Sequence, residues 1–159
     1  MASTDKHSPL EPRHEDSLPF ILRETHKAFV RALEGALKKE GLSSSQWYVL
    51  RTLWNEEGLT QAELSHRIRL MTPTTVTTLN QMEAMGLVKR AAHPEDKRKF
   101  KIFLTSKGRA LENELLPVAS EIIAQAMKGL SKSRLNEMAQ VLLSIQANLR
   151  PPDQSFDGG

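Results

Sequence analysis

The chain has 159 residues, 39% hydrophobic and 26% charged, with eight Gly, eight Pro and no Cys, the balance of one ordinary folded domain. Folding at this length removes roughly 70% of the unfolded surface from water, so a sizeable core can form. The missing cysteines exclude disulfides, thiolate-bound zinc, iron–sulfur clusters and a thiol redox switch. Net charge is only +3, and no apolar run approaches the roughly 20 residues of a membrane span, so a cytoplasmic protein with no membrane partner is expected.

Residues 1–17 hold Pro9 and Pro12 among polar residues and no apolar leader segment, and they read as a disordered tail. Leu22, His26, Phe29, Val30, Leu33 and Leu37 then recur at helical spacing, and Gly41 is placed to stop the run. A first helix over about 18–40 is predicted. A second begins near Ser43 to Ser45, whose hydroxyls can cap it, and carries Trp47, Val49, Leu50, Leu53 and Trp54 on one broad apolar face. Thr60 followed by Glu63 has the capping-box pattern for a short third helix reaching about Ile68. Thr72 as N-cap with Pro73 at the first helical position opens a fourth, in which Val76, Leu79 and Met82 form the buried stripe and Gly86 ends the helix. Two short helices a few residues apart make a helix-turn-helix pattern.

Leu87 to Ala92 reads as a strand, His93-Pro94-Glu95-Asp96 as a turn, and Phe100 to Leu104 as a second strand with period-two alternation. A hairpin directly after the fourth helix makes a wing, with Asp96 to Lys99 at its tip. Thr105 or Ser106 caps a long fifth helix carrying Leu111, Leu115, Val118 and Ile122, which Pro117 should kink or break. Ser131 or Ser133 caps a sixth, where Leu135, Met138, Leu142, Ile145 and Leu149 make a coiled-coil-like seam of two heptads, too short to stand alone. Residues 150–159, with Pro151, Pro152 and a final Gly pair, read as a second disordered tail. The expected fold is mainly α with a small β-hairpin wing. A winged helix-turn-helix domain spans 42–105, an N-terminal dimerisation helix spans 18–41, and C-terminal dimerisation helices span 106–149. Packing of the long helices within a monomer is the alternative to a homodimer.

The charge is concentrated on the wing. From Gly86 to Arg109 stand eight basic residues (Lys89, Arg90, Lys97, Arg98, Lys99, Lys101, Lys107 and Arg109) against Glu95 and Asp96, a local +6 that leaves −3 for the rest. Such a stretch attracts a polyanion; a solvated hairpin without a partner is the reading that charge by itself leaves open. Catalysis has no support, since there is no phosphate loop, nucleophile elbow or H-E-x-x-H motif, and the five histidines are scattered. No cofactor or metal is expected.

Asp96-Lys97-Arg98 followed by Leu104-Thr105-Ser106-Lys107-Gly108 resembles the D-x-R and L-T-x-x-G signature of the MarR/SlyA family of bacterial transcription regulators. Leu42 through Gln46-Trp47 and Leu50, Leu59-Thr60-Gln61 with Leu64, and Met82-Glu83 with Gly86-Leu87-Val88 support the match. The resemblance covers roughly Leu18 to Leu149. It implies a homodimer with interleaved terminal helices, binding to pseudo-palindromic double-stranded DNA operators, repression as the more frequent outcome, and release by a small anionic, often aromatic, effector.

On that reading the fourth helix enters the major groove. It carries no Lys or Arg from Thr72 to Met85, and Thr77 stands where resembling sequences usually carry an Arg. Thr72, Thr74, Thr75, Thr77, Thr78 and Gln81 remain as candidates, chemistry that suits an A·T-biased reading. Arg98 is expected in the minor groove, Lys97 and Lys99 on phosphates, and Asp96 as the residue that shapes the wing. Phe20, Arg23, His26 and Phe29 with Tyr48 and Arg51 combine aromatic surface with cations and are the candidate effector contacts for an aromatic carboxylate or its CoA thioester. Trp47 and Trp54 read as core, and Arg23 and Arg51 have salt bridges between subunits as an alternative role. The opposing functional reading is a nucleoid-type DNA-binding protein with little sequence preference, which suits a recognition helix without Arg.

Overall fold

The computed structural model describes residues 15–96 and 98–150. Its elements are α1 (Leu18–Lys39), α2 (Ser44–Asn55), β1 (Leu59–Thr60), α3 (Gln61–Ile68), α4 (Thr72–Ala84), β2 (Val88–Ala92), β3 (Phe100–Leu104), α5 (Ser106–Ala126) and α6 (Lys132–Asn148). The chain divides into two compact units, one up to Ile122 and one from Ile123 onward. In the first unit α2, α3, α4 and the hairpin of β2 and β3 form a winged helix-turn-helix.

Local chemistry accounts for most boundaries. Ser43 caps α2 in a complete capping box, its Oγ accepting from the Gln46 N–H at 3.3 Å while Gln46 Oε1 accepts from the Ser43 N–H at 2.9 Å. Thr60 does the same for α3 with Glu63: the carboxylate accepts from the Thr60 N–H at 2.7 Å, and Thr60 Oγ1 accepts from the Glu63 N–H at 3.3 Å. These bonds satisfy N–H groups that the helix itself leaves unpaired. Thr60→Ala is therefore expected to cost about 1 kcal/mol and to lower Tm by roughly 2–4 °C in a thermal melt; an unchanged Tm would mean that the cap is replaced by water without loss.

The core of the first unit gathers Leu37 from α1, Trp47, Val49, Leu50 and Leu53 from α2, Leu64 from α3, Leu79 and Met82 from α4, Ile102 and Leu104 from β3, and Leu111 and Leu115 from α5. The tryptophans belong to this packing: Trp47 is buried, Trp54 is half-buried, and their rings meet edge to face at 5.7 Å. The sheet is three-stranded and antiparallel in the order β1-β3-β2, with Leu59 opposite Ile102 and Val88 opposite Leu104. The sequence reading has only the outer hairpin; β1 is two residues long and carries no periodicity to read.

Three expectations need correction. α4 begins one residue early: Met71 is the N-cap in extended conformation without a side-chain cap, so Thr72 is the first helical residue and Pro73 the second. Proline still fits there, because first-turn N–H groups have no partner inside the helix. The buried stripe of α4 is Thr75, Thr78, Leu79 and Met82, with Val76 only half-buried. Of the kink or break expected at Pro117, the break does not occur, for α5 runs as one helix from Ser106 to Ala126. In the second unit Ser131 is the cap of α6, accepting from the Arg134 N–H at 3.3 Å. α6 buries no residue: Leu135, Leu142 and Ile145 are half-buried, while Met138 and Leu149 are exposed. None of the described helices is long and apolar enough to cross a membrane.

Candidate nucleic-acid interface

α4 presents Thr72, Pro73, Thr74, Thr77 and Gln81 to solvent. Residues 72, 74, 77 and 81 thus keep the exposure that contact with a base edge or phosphate requires. Thr75 and Thr78 do not. Thr75 is 0% and Thr78 5% exposed, and their hydroxyls donate to the carbonyls of Met71 at 3.3 Å and Thr74 at 2.8 Å. A threonine bonded back to its own helix presents its methyl to the core at little polar cost, so these two candidates pack the helix onto the domain and read no partner. Thr77 also donates backward, to the Pro73 carbonyl at 3.1 Å, but its side chain remains exposed.

Hydrogen bonds among the described residues tie the two sides of the wing turn together. The His93 N–H donates to the Lys99 carbonyl at 3.0 Å and the Lys99 N–H to the Asp96 carbonyl at 2.9 Å, while His93 Nδ1 accepts from the N–H groups of Glu95 and Asp96 at 3.2 and 3.3 Å. Asp96 Oδ1 accepts from both the main-chain N–H and the Nε of Arg98 at 3.1 Å, and Oδ2 accepts from Nη2 at 3.4 Å. The Arg98 side chain is 91% exposed and that of Asp96 25%. Lys99 is exposed, and Lys97 lies outside the described residues.

Hydrogen bonds from the Arg98 side chain, then from its main-chain N–H, hold the Asp96 carboxyl below the ordinary aspartate range. A carboxyl depressed on folding contributes fully above its unfolded value and is lost as pH falls through the folded one. The wing turn is therefore expected to keep its form from neutral pH down to about 4, the ordinary aspartate value. NMR titration of the Asp96 carboxyl carbon checks this, and a midpoint at or above the ordinary value would contradict the ion pair.

Part of the basic surplus is spent inside the protein. Arg90 on β2 is half-buried, ion-paired with Glu83 and bonded from Nη2 to Asn80 Oδ1 at 2.7 Å, which fixes the wing to the far half of α4. Lys107 Nζ donates to the Met85 carbonyl at 3.1 Å just past the end of α4. Arg109 grips Glu57 through Nε at 2.9 Å and Nη2 at 2.8 Å, and Glu57 Oε2 also accepts from the Leu104 N–H at 3.0 Å. Sequence reasoning counts all three as available charge. Only a carboxylate or amide at short separation on the facing element could have signalled otherwise, as Glu83 and Asn80 do for Arg90.

The L-T-x-x-G segment has a mechanical reading. Thr105 Oγ1 donates to the Gly86 carbonyl at 2.6 Å and accepts from the Gly108 N–H at 3.1 Å, capping α5 against the end of α4. The Gly108 carbonyl accepts from Trp54 Nε1 at 3.0 Å. These bonds and Glu57 set the wing at a fixed angle to α4, the positioning that a two-part contact surface needs.

The two candidate effector arginines each lie over an aromatic ring, one of them a candidate and the other the core Trp47. Arg23 lies over the Phe20 ring at 4.8 Å, and Arg51 over Trp47 at 5.6 Å. Arg23 also pairs with Glu24 at 3.2 Å. His26 and Tyr48 are exposed and Phe29 is half-buried. A cavity of about 420 Å³ opens instead where α1 meets α2, lined by Glu34, Leu37, Lys38, Gly41, Leu42, Ser43 and Ser44. None of the six candidates lines it. Phe20, for example, lies roughly 25 Å along the helix axis from Leu37 at 1.5 Å per residue, and it is through Leu33, Ala36 and Leu37 that α1 packs on the core.

A family model described as the MarR family matches residues 42–100. The HTH-type transcriptional regulator TtmR of Methylorubrum extorquens (strain PA1) is 34% identical over 141 residues, spanning 88% of this chain and 69% of that protein. The homoprotocatechuate degradative operon repressor of Escherichia coli is 27% identical over 127 residues, 80% of this chain and 86% of that one. Among solved structures, the S. aureus MepR–DNA complex is similar in fold, with a TM-score of 0.78 at 21% identity, covering 84% of this chain and 98% of that one.

Proposed function

The chain belongs to the MarR family of transcriptional regulators, and from that premise we propose that it binds double-stranded DNA as a homodimer and acts as a repressor released by a small anionic effector. As a member of that family it is a regulator of transcription and not an enzyme. The observation that carries the reading is the pairing of two exposed features on one rigid frame: the Thr72, Thr74, Thr77 and Gln81 face of α4, and the Arg98 wing tip braced against α4 through Arg90. α4 has the size for a major groove, and the wing tip then meets the flanking minor groove. Threonine methyls and a glutamine amide favour A·T pairs, through thymine methyls and adenine respectively.

The experiment is fluorescence-anisotropy titration of the full-length protein with its own upstream intergenic DNA and with a scrambled duplex, each at several salt concentrations. Preference for the upstream DNA by roughly 10³ or more supports a site-specific regulator. Equal affinity with a steep salt slope supports the nucleoid-type reading, which the absence of Lys and Arg from α4 favours. The homodimer is proposed on the apolar side chains exposed along α1 and α6, among them Ile21, Leu22, Met138, Val141, Leu143 and Leu149; sedimentation equilibrium tests it, and a monomer at micromolar concentration overturns it.

For the effector, the candidate set of Phe20, Arg23, His26, Phe29, Tyr48 and Arg51, with Arg23 over the Phe20 ring, combines cations with aromatic surface that suits an aromatic carboxylate or its CoA thioester. A relative named as the repressor of a homoprotocatechuate degradative operon supports that class. Isothermal titration with a panel of aromatic acids and their thioesters tests the reading, and absence of heat across the panel counts against it.

A further inference from the structure

We propose that Arg69, in the turn between α3 and α4, clamps a DNA backbone phosphate and supplies the cation that α4 lacks; the inference rests on the DNA-binding reading above. Arg69 has φ 53° and ψ 38° and is the one non-glycine residue with positive φ among those described. In that left-handed region a Cβ is crowded and glycine is not. The backbone needs the conformation, because it closes α3: the N–H groups of Arg69 and Leu70 both donate to the Ser65 carbonyl, the latter at 3.3 Å. Glycine would do that work with less strain, so what arginine adds at this position is its side chain. Strain held at one residue points to a use for that residue.

The side chain has no competing duty. Arg69 is exposed, and among the described residues its guanidinium enters no hydrogen bond or ion pair. Arg67, two residues earlier, is by contrast ion-paired with Glu56, and Arg90 on β2 is tied to Glu83 and Asn80 of α4. Arg69 is thus the free guanidinium of the helix-turn-helix. Only Leu70 and Met71 separate it from Thr72, at most about 11 Å of chain, and an arginine side chain covers much of that distance. A duplex carries one negative charge per roughly 1.7 Å of axis, so a helix seated in a groove has phosphates on its flanks. With Thr72, Thr74, Thr77 and Gln81 all uncharged, the phosphate next to the start of α4 falls to Arg69.

The test compares Arg69→Gly, Arg69→Gln, Arg69→Lys and Arg98→Ala in the full chain, on the upstream and scrambled duplexes across a salt series, with Tm measured for each. Arg69→Gly is expected to leave Tm unchanged or raise it by up to about 3 °C. It should weaken binding to both duplexes by at least about tenfold and lower the slope of log affinity against log salt by about 0.9 for each protomer, about 1.8 for the homodimer. Arg69→Gln, which keeps the Cβ and a polar side chain without the charge, should show the same lower slope, whereas Arg69→Lys should keep the wild-type slope. Wild-type affinity and slope in Arg69→Gly and Arg69→Gln, with Arg98→Ala impaired, would overturn the clamp and leave the DNA-binding reading standing. No binding by the wild type to either duplex at low salt would overturn that reading and the clamp with it.

Discussion

Replacing Gly108 with alanine is expected to destabilise the protein by about 3 kcal/mol or more, lowering Tm by roughly 6 °C or beyond. A Cβ at this position would stand 2.2 Å from the Leu87 carbonyl oxygen and 3.1 Å from Leu104 Cδ2. The first of these is main chain and cannot swing aside. Relief would require α5 to move off the sheet, and its first turn is held in place from several directions. The Gly108 N–H is on Thr105 Oγ1, the Gly108 carbonyl on Trp54 Nε1, the Thr105 N–H on the Leu87 carbonyl at 3.0 Å, and Arg109 on Glu57. Any shift large enough to admit a methyl group loosens several of these at once. Differential scanning fluorimetry of the variant is the check, and a Tm within about 2 °C of wild type would show that α5 can slide. Because the same contacts brace the wing, residual folded Gly108→Ala should also bind DNA more weakly than its folded fraction accounts for.

The elements legible in the sequence are those whose cause lies within a few residues. The Thr60 and Glu63 box is complete in four residues, and α3 starts where it says. Alternation from Phe100 to Leu104 gives β3 with its observed ends, since one face of the hairpin packs on the core and the other does not. β1 escapes because two residues carry no period, and it exists only because Leu59 finds Ile102 43 positions later. Thr75 and Thr78 mislead for a different reason. In composition they are polar, yet with their hydroxyls bonded to the preceding turn they behave as small apolar residues, and only the three-dimensional stripe with Leu79 and Met82 reveals it. The same blindness inflates the wing charge, for the carbonyl that engages Lys107 is 22 residues away and the carboxylate that engages Arg109 is 52. The effector residues fare worst: periodicity places Phe20, Arg23 and Tyr48 on helices but carries no information on what faces them, and the cavity at the meeting of α1 and α2 is built from other side chains.

Arg98→Ala is expected to weaken binding to the upstream duplex by about tenfold to a hundredfold at moderate salt, with Tm within about 2 °C of wild type. Stability should be spared because the guanidinium, 91% exposed, hydrogen-bonds among the described residues to Asp96 alone. Binding should suffer because the wing tip offers one guanidinium that can leave its partner without disturbing the turn. Asp96 keeps the Arg98 main-chain N–H at 3.1 Å, and the His93 to Lys99 bond stays in place whichever way the side chain points. The free head can then enter a narrow A·T minor groove, where the negative potential is strongest. Asp96→Ala separates this account from plain electrostatics. It removes a negative charge from the tip, so charge by itself calls for tighter binding, yet it also takes away the acceptor that shapes the turn, so the geometric account calls for weaker binding to the upstream duplex. Anisotropy titrations of both variants decide the matter: loss in each, despite opposite changes in charge, identifies a wing whose form positions Arg98, whereas a gain in Asp96→Ala would reduce the wing to a patch of positive charge.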